Sequence, residues 1–165
     1  MAQERYTRTN QKIYFAGLAI KALREAELSE AIDAPGKAQA EREAALFHLH
    51  GALLSLLQEI AGFYRLPGAD VPEVNFVLAL HSDCPELSEL RQLASNDCSW
   101  MSALQAAYAS LFTPSVMSGK AIDQGKLIAT SSAQAAMPIT ADRLLEWQAE
   151  LKTLALRFRE TMVDS

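Results

Sequence analysis

Apolar positions recur at helical spacing along most of the chain, and turn-forming residues cut that rhythm into segments. Ile13, Ala16, Ile20 and Leu23 step by three and four, with Tyr14, Leu18, Leu28 and Ile32 on a neighbouring seam. Together they predict a first helix from about Asn10 to Ile32. Asp33-Ala34-Pro35-Gly36 then breaks the pattern, because Pro resists a helix interior and Gly frees the turn. A second long helix is predicted from Gly36 to Tyr64. Here Leu46, Leu49, Leu53, Leu56, Ile60 and Phe63 form one seam, and His50, Leu54, Leu57, Ala61 and Tyr64 form another beside it. Two adjacent seams make a stripe wide enough for two partner helices, so this element is expected at the centre of a bundle.

The second half is more broken. Arg65-Leu66-Pro67-Gly68 closes the long helix, and Asp70 with Pro72 predicts a capped short segment through Leu80. Asp83 before Pro85 and Glu86 repeats that signal for a short helix to about Ala94. Ser95-Asn96-Asp97 is read as the cap of a third, carrying Trp100, Leu104, Ala107, Tyr108 and Leu111. Residues 113–139 lack periodicity and read as a long loop, a length that is unusual inside a compact domain. Thr140 caps the last helix, in which Leu144, Trp147, Leu151, Leu154 and Phe158 step by three and four. No internal repeat is found. The expected fold is therefore all-α: one domain over residues 1–165, a bundle of about four main helices with short linking helices and a long loop before the last.

Composition agrees. With 28 Ala and 23 Leu against 7 Gly and 6 Pro, the chain is rich in helix formers and poor in β-branched residues. Half of it is hydrophobic, enough for a core. The net charge of −5 is not that of a globally basic nucleic-acid binder. Its distribution says more: residues 1–24 carry a net +4, and residues 66–97 a net −5. The basic start, with Arg5, Arg8 and Lys12 interleaved with Tyr6 and Asn10, is a candidate surface for phosphates or for an acidic face of a partner. No signal-type apolar run opens the chain, and no uncharged apolar run reaches the roughly 20 residues of a membrane span. A cytoplasmic location and no membrane association are expected.

Reactive side chains are few. Arg42 and His48, with five residues between them, match the Arg-x(4–6)-His signature of HEPN-type ribonucleases. These are helical too, and in them His moves protons at a ribose hydroxyl while Arg stabilises phosphate charge. On a helix, six positions place the two side chains about 120° apart, with His48 grouped beside Ala52, Ser55 and Glu59 on the polar side. His50 falls in the apolar arc and reads as a core histidine. His81, Cys84 and Cys98 are too few for a structural zinc site unless His48, His50 or a carboxylate joins them, and the cysteines read as buried free thiols near helix starts. No Glu-x-x-His motif is present for a di-iron bundle, and Gly119-Lys120 and Gly125-Lys126 lack phosphate-cradle spacing. No metal and no cofactor are expected.

Arg5-Tyr6-Thr7-Arg8-Thr9-Asn10-Gln11-Lys12, leading into Ile13-Tyr14-Phe15, and then Ala45-Leu46-Phe47-His48-Leu49-His50 resemble a small bacterial family of about this length, a domain of unknown function. That resemblance implies a bacterial cytoplasmic setting and transfers no catalytic residue. The function expected is a non-enzymatic helical interaction or adaptor protein that binds a protein partner or itself. The alternatives are a HEPN-like ribonuclease using Arg42 and His48, or nucleic-acid binding through Arg5, Arg8 and Lys12. Trp100, Tyr108 and Trp147 are candidate interface anchors, though their seam spacing suits the core better.

Overall fold

A computed structural model describes residues 2–114 and 138–163. Among these residues the chain forms six α-helices and no strand. They are α1 (Ala2–Leu28), α2 (Ala34–Phe63), α3 (Val74–Leu78), α4 (Pro85–Ser95), α5 (Trp100–Ser110) and α6 (Ala141–Val163). Four of them make the bundle, and α3 and α4 link α2 to α5 at one end, as the pattern predicts. Most of the expected long loop, residues 115–137, lies outside the described residues.

Helix α2 touches all five others, which is what its double seam requires. Leu49, Leu53, Leu56, Leu57, Ile60 and Ala61 are fully buried. By length and composition this helix could also cross a membrane, yet its apolar faces are covered by the other helices. Asp33 occupies its N-cap position and Pro35 sits in the first turn, where no N–H partner is lost. The helix stops in a reversal with Arg65 in the left-handed region at φ 56° and Gly68 at φ 88°. The amide of Leu66 reaches the Ala61 carbonyl at 2.9 Å and that of Arg65 reaches Gly62 at 3.0 Å, so the freed carbonyls are satisfied.

Helix α1 begins at Ala2 rather than at Asn10. The basic start is therefore helical and packs on α2, with Thr9 buried and its hydroxyl donated to the Arg5 carbonyl at 3.0 Å. It also ends earlier than Ile32, which stands fully exposed in the 29–33 turn. Its second seam is not core: Tyr14, Leu18 and Leu28 are 63, 49 and 80% exposed. The arc of α2 that holds Ala52, Ser55 and Glu59, expected on the polar side, is instead buried against α1. Small side chains there let the two helices approach closely.

Cap residues also differ from expectation. Glu73, Cys84 and Ser99 precede α3, α4 and α5, in place of Asp70, Asp83 and the 95–97 triplet. Ser99 accepts the Ser102 amide at 3.1 Å, while Arg91 donates to the carbonyls of Leu78, Leu80 and Ser82 and fixes the α3–α4 linker. Thr140 caps α6 as expected, its hydroxyl accepting the Arg143 amide at 3.3 Å. Trp147 is buried and Trp100 and Tyr108 are half-buried, so these rings belong to the packing.

Candidate functional site

The basic start is largely spent on internal contacts. Arg5 pairs with Asp70 at 2.8 Å and lies against Gly62, where a Cβ would sit 1.7 Å from its guanidinium. Lys12 crosses Gly51 and lies 5.1 Å from the centre of the Phe47 ring. Arg8 is exposed and has no partner among the described residues. The opposed charge patches thus partly meet inside the molecule. Arg24–Asp142, Arg157–Glu89 and Arg159–Glu59 continue the same theme, and the Arg157 guanidinium holds the Glu89 carboxyl below its usual range.

Arg42 and His48 turn to different neighbours. The buried Arg42 donates through Nε to the Ile139 carbonyl at 2.7 Å, and its other arm reaches the Gln39 side chain. It therefore pins the approach to α6. His48 faces α1, with ring centres of Phe15 and Phe47 at 5.4 and 5.2 Å, and its buried Nδ1 has no hydrogen-bond partner. Burial, and secondarily the charge of Lys12, lower its pKa from the ordinary 6.5. Arg42 is thus committed to holding a backbone carbonyl, away from the ring pocket that houses His48.

His50 is half-buried and stacks flat on Tyr108, ring centres 3.6 Å apart and 4° from parallel. Burial lowers its pKa too. Cys84 is a buried free thiol, whereas Cys98, expected buried, is exposed one residue before the α5 cap. His81 is exposed, and among the described residues no three His, Cys, Asp or Glu side chains converge to hold a metal ion. A polar cluster lies at one end of the bundle: the Tyr64 hydroxyl donates to the buried Glu86 carboxylate at 2.8 Å, and Thr161 donates to it at 3.3 Å. Burial and that carboxylate push the Tyr64 pKa up to about 12, so it stays a donor.

A concave surface with a largely apolar lining lies elsewhere, between α1 and α6. These helices run antiparallel, pinned by Arg24–Asp142 at one end and by the Asn10 amide oxygen accepting from Arg159 at 3.0 Å at the other. Midway, the buried Gln148 amide donates to the Ile13 carbonyl at 3.0 Å, directly beneath Gly17. A groove of about 590 Å³ runs along the seam. Gly17 and Ala155 are among its smallest lining residues, and Tyr14, Leu18 and Leu156 are exposed along it. Lys152 is exposed in the lining, and no carboxylate among the described residues lines the groove.

In the sequence Tyr14 and Leu18 fall on a seam neighbouring that of Ile13, Ala16, Ile20 and Leu23, with no functional role attached to it. Nor does one attach there to Leu156 or Lys152. The available signal is that the α6 seam at Leu144, Trp147, Leu151, Leu154 and Phe158 is complete without Leu156. The model of a family of unknown function, DUF6586, matches residues 1–165, and the chain belongs to that family. No curated protein and no solved structure matches it. The likeness of the N-terminal hairpin to a domain of unknown function accords with this membership, while the HEPN likeness finds no support in the comparisons.

Proposed function

We propose that this chain is a non-enzymatic helical interaction module that binds a protein partner or a second copy of itself. The α1–α6 face carries the reading: Tyr14, Leu18 and Leu156 stand in solvent beside an open groove, although the core is complete without them. Contiguous exposed apolar side chains of this kind mark contact surfaces. Arg42 and Arg159 are engaged in holding the fold, Arg42 on a carbonyl and Arg159 on Glu59. A cytoplasmic setting is part of the proposal, since the exposed free thiol of Cys98 suits a reducing compartment.

The test is a photo-crosslinking side chain at position 18 in cells, with position 37 as the control on exposed α2 surface, and half of each sample treated with nuclease. A discrete protein adduct at 18 that survives nuclease is expected, with none at 37. A different result would overturn the reading: no adduct, together with RNA cleavage by purified protein that Arg42→Ala or His48→Ala abolishes. RNA retention lost in an Arg5→Gln, Arg8→Gln, Lys12→Gln variant would equally replace it with nucleic-acid binding.

A further inference from the structure

We infer that the α1–α6 groove receives an acidic amphipathic helix of another protein, its apolar stripe on Leu18 and Leu156 and a carboxylate on Lys152. The inference rests on the interaction-module reading and names the partner's chemistry. Shape comes first. The groove lies between two antiparallel helices, with Gly17 and Ala155 in its lining and ridges of side chains four apart, Tyr14 and Leu18 on α1 and Lys152 and Leu156 on α6. A third helix packs by seating its own ridge in such a groove. From Leu145 to Arg159 the lining spans about 21 Å at the helical rise of ~1.5 Å per residue, room for about four turns of a partner helix.

Charge then selects among helices. Lys152 is exposed over the apolar lining and has no acidic partner among the described residues. Lys21, one turn beyond Leu18 on α1, is a second exposed cation without one. Arg159, at the far end, is neutralised by Glu59 and so contributes shape rather than net charge. A two-fold pairing of this face with a second copy sets each lysine against a lining that offers no carboxylate to receive it. An incoming helix with Glu or Asp beside its apolar stripe meets both lysines.

The experiment uses the full chain and two synthetic amphipathic peptides of about 18 residues, identical in their Leu stripe, one flanked by Glu and the other by Lys. Binding is read by fluorescence anisotropy, with gel filtration of the free protein alongside. The Glu peptide is expected to bind, and Leu18→Glu to weaken it about 10-fold or more. Lys152→Glu should weaken the Glu peptide about 3–5-fold and strengthen the Lys peptide by a similar factor, both effects shrinking at high salt. Both substitutions sit on exposed surface, and unchanged helical circular dichroism confirms folding. Equal binding of the two peptides, or no binding of either, overturns the inference. So does a wild-type dimer that Leu18→Glu dissociates, because the occupant is then a second copy. A position-18 adduct with a protein in cells, beside failure of the Glu peptide, sinks the partner chemistry alone; absence of both sinks the interaction module as well.

Discussion

Replacing Arg159 with Met removes one half of the most buried ion pair among the described residues. Its Nε and Nη2 donate to the two Glu59 oxygens at 3.0 and 3.1 Å, and its Nη1 donates to Asn10 at 3.0 Å. The guanidinium also lies 3.9 Å from the centre of the Tyr6 ring. The two side chains are only 14 and 8% exposed, so water cannot take over when one is removed. Leaving Glu59 charged and unpaired should cost about 3–5 kcal/mol, a large part of the ~5–15 kcal/mol that holds a typical domain together. At about 2–4 °C per kcal/mol for a chain of this size, the melting midpoint should fall by about 6–20 °C. Urea titration followed by far-UV circular dichroism measures the loss. Glu59→Leu combined with Arg159→Met removes both charges and should recover at least ~2 kcal/mol relative to the single change. A loss below ~1 kcal/mol in Arg159→Met, or a double variant no more stable than the single, would refute the argument that burial makes this pair costly to break.

Four further outcomes are expected. Both His48 and His50 are held below 6.5 by burial, so the folded chain favours the neutral rings while the unfolded chain takes up protons first. Stability from these groups is therefore full above about pH 6.5 and is lost as pH falls through the unfolded and then the folded values. His48→Leu, which also removes the unpartnered Nδ1, should flatten that acid limb in pH-dependent urea titrations and leave stability at pH 7 within about 1 kcal/mol. Gly17→Ala drives a Cβ to 2.8 Å from the Gln148 amide and disturbs its bond to Ile13, so a loss of up to ~2 kcal/mol should outweigh the ~1 kcal/mol helix gain. Gly62→Ala meets only the end of the flexible Arg5 and should be neutral or slightly stabilising in the same assay. Arg42→Met leaves the Ile139 carbonyl without its donor and should cost about 1–3 kcal/mol by thermal melting.

The core of α2 was legible because two seams of large apolar residues coincide with the arcs that other helices cover. On α1 the same spacing misled. Periodicity identifies an apolar arc but does not say whether a neighbour lies over it, and Tyr14 and Leu18 have none. The arcs that touch are built partly from small residues: Ala16 and Ala19 on α1, and Ala45, Ala52 and Ser55 on α2, all buried. Close backbone approach favours small side chains at a contact, so a polar or alanine-rich arc can be more buried than a leucine-rich one. The early start of α1 was hidden for a related reason, since residues 2–9 present cations and hydroxyls rather than a hydrophobic seam. Thr9 bonds to its own helix and needs no polar neighbour when buried.

Charge was the least legible property, because its sign is written in the sequence but its partner is set by the fold. The basic N-terminal segment and the acidic middle segment suggest two faces looking outward, yet Arg5 already holds Asp70 across the bundle. Arg24 and Arg159 likewise end on Asp142 and Glu59. What remains outside is Arg8 and Lys21 of the N-terminal segment, with Lys152 exposed on α6. Of these, only Lys21 and Lys152 flank exposed leucines, and that coincidence is what separates a contact face from an ordinary solvated one. An unpaired charge far from apolar surface is stabilised by water and gives a partner little reason to displace it. An unpaired charge at the edge of an apolar groove offers orientation to a ligand that the groove already attracts. The α1–α6 face has both elements, and neither is visible until the helices are placed side by side.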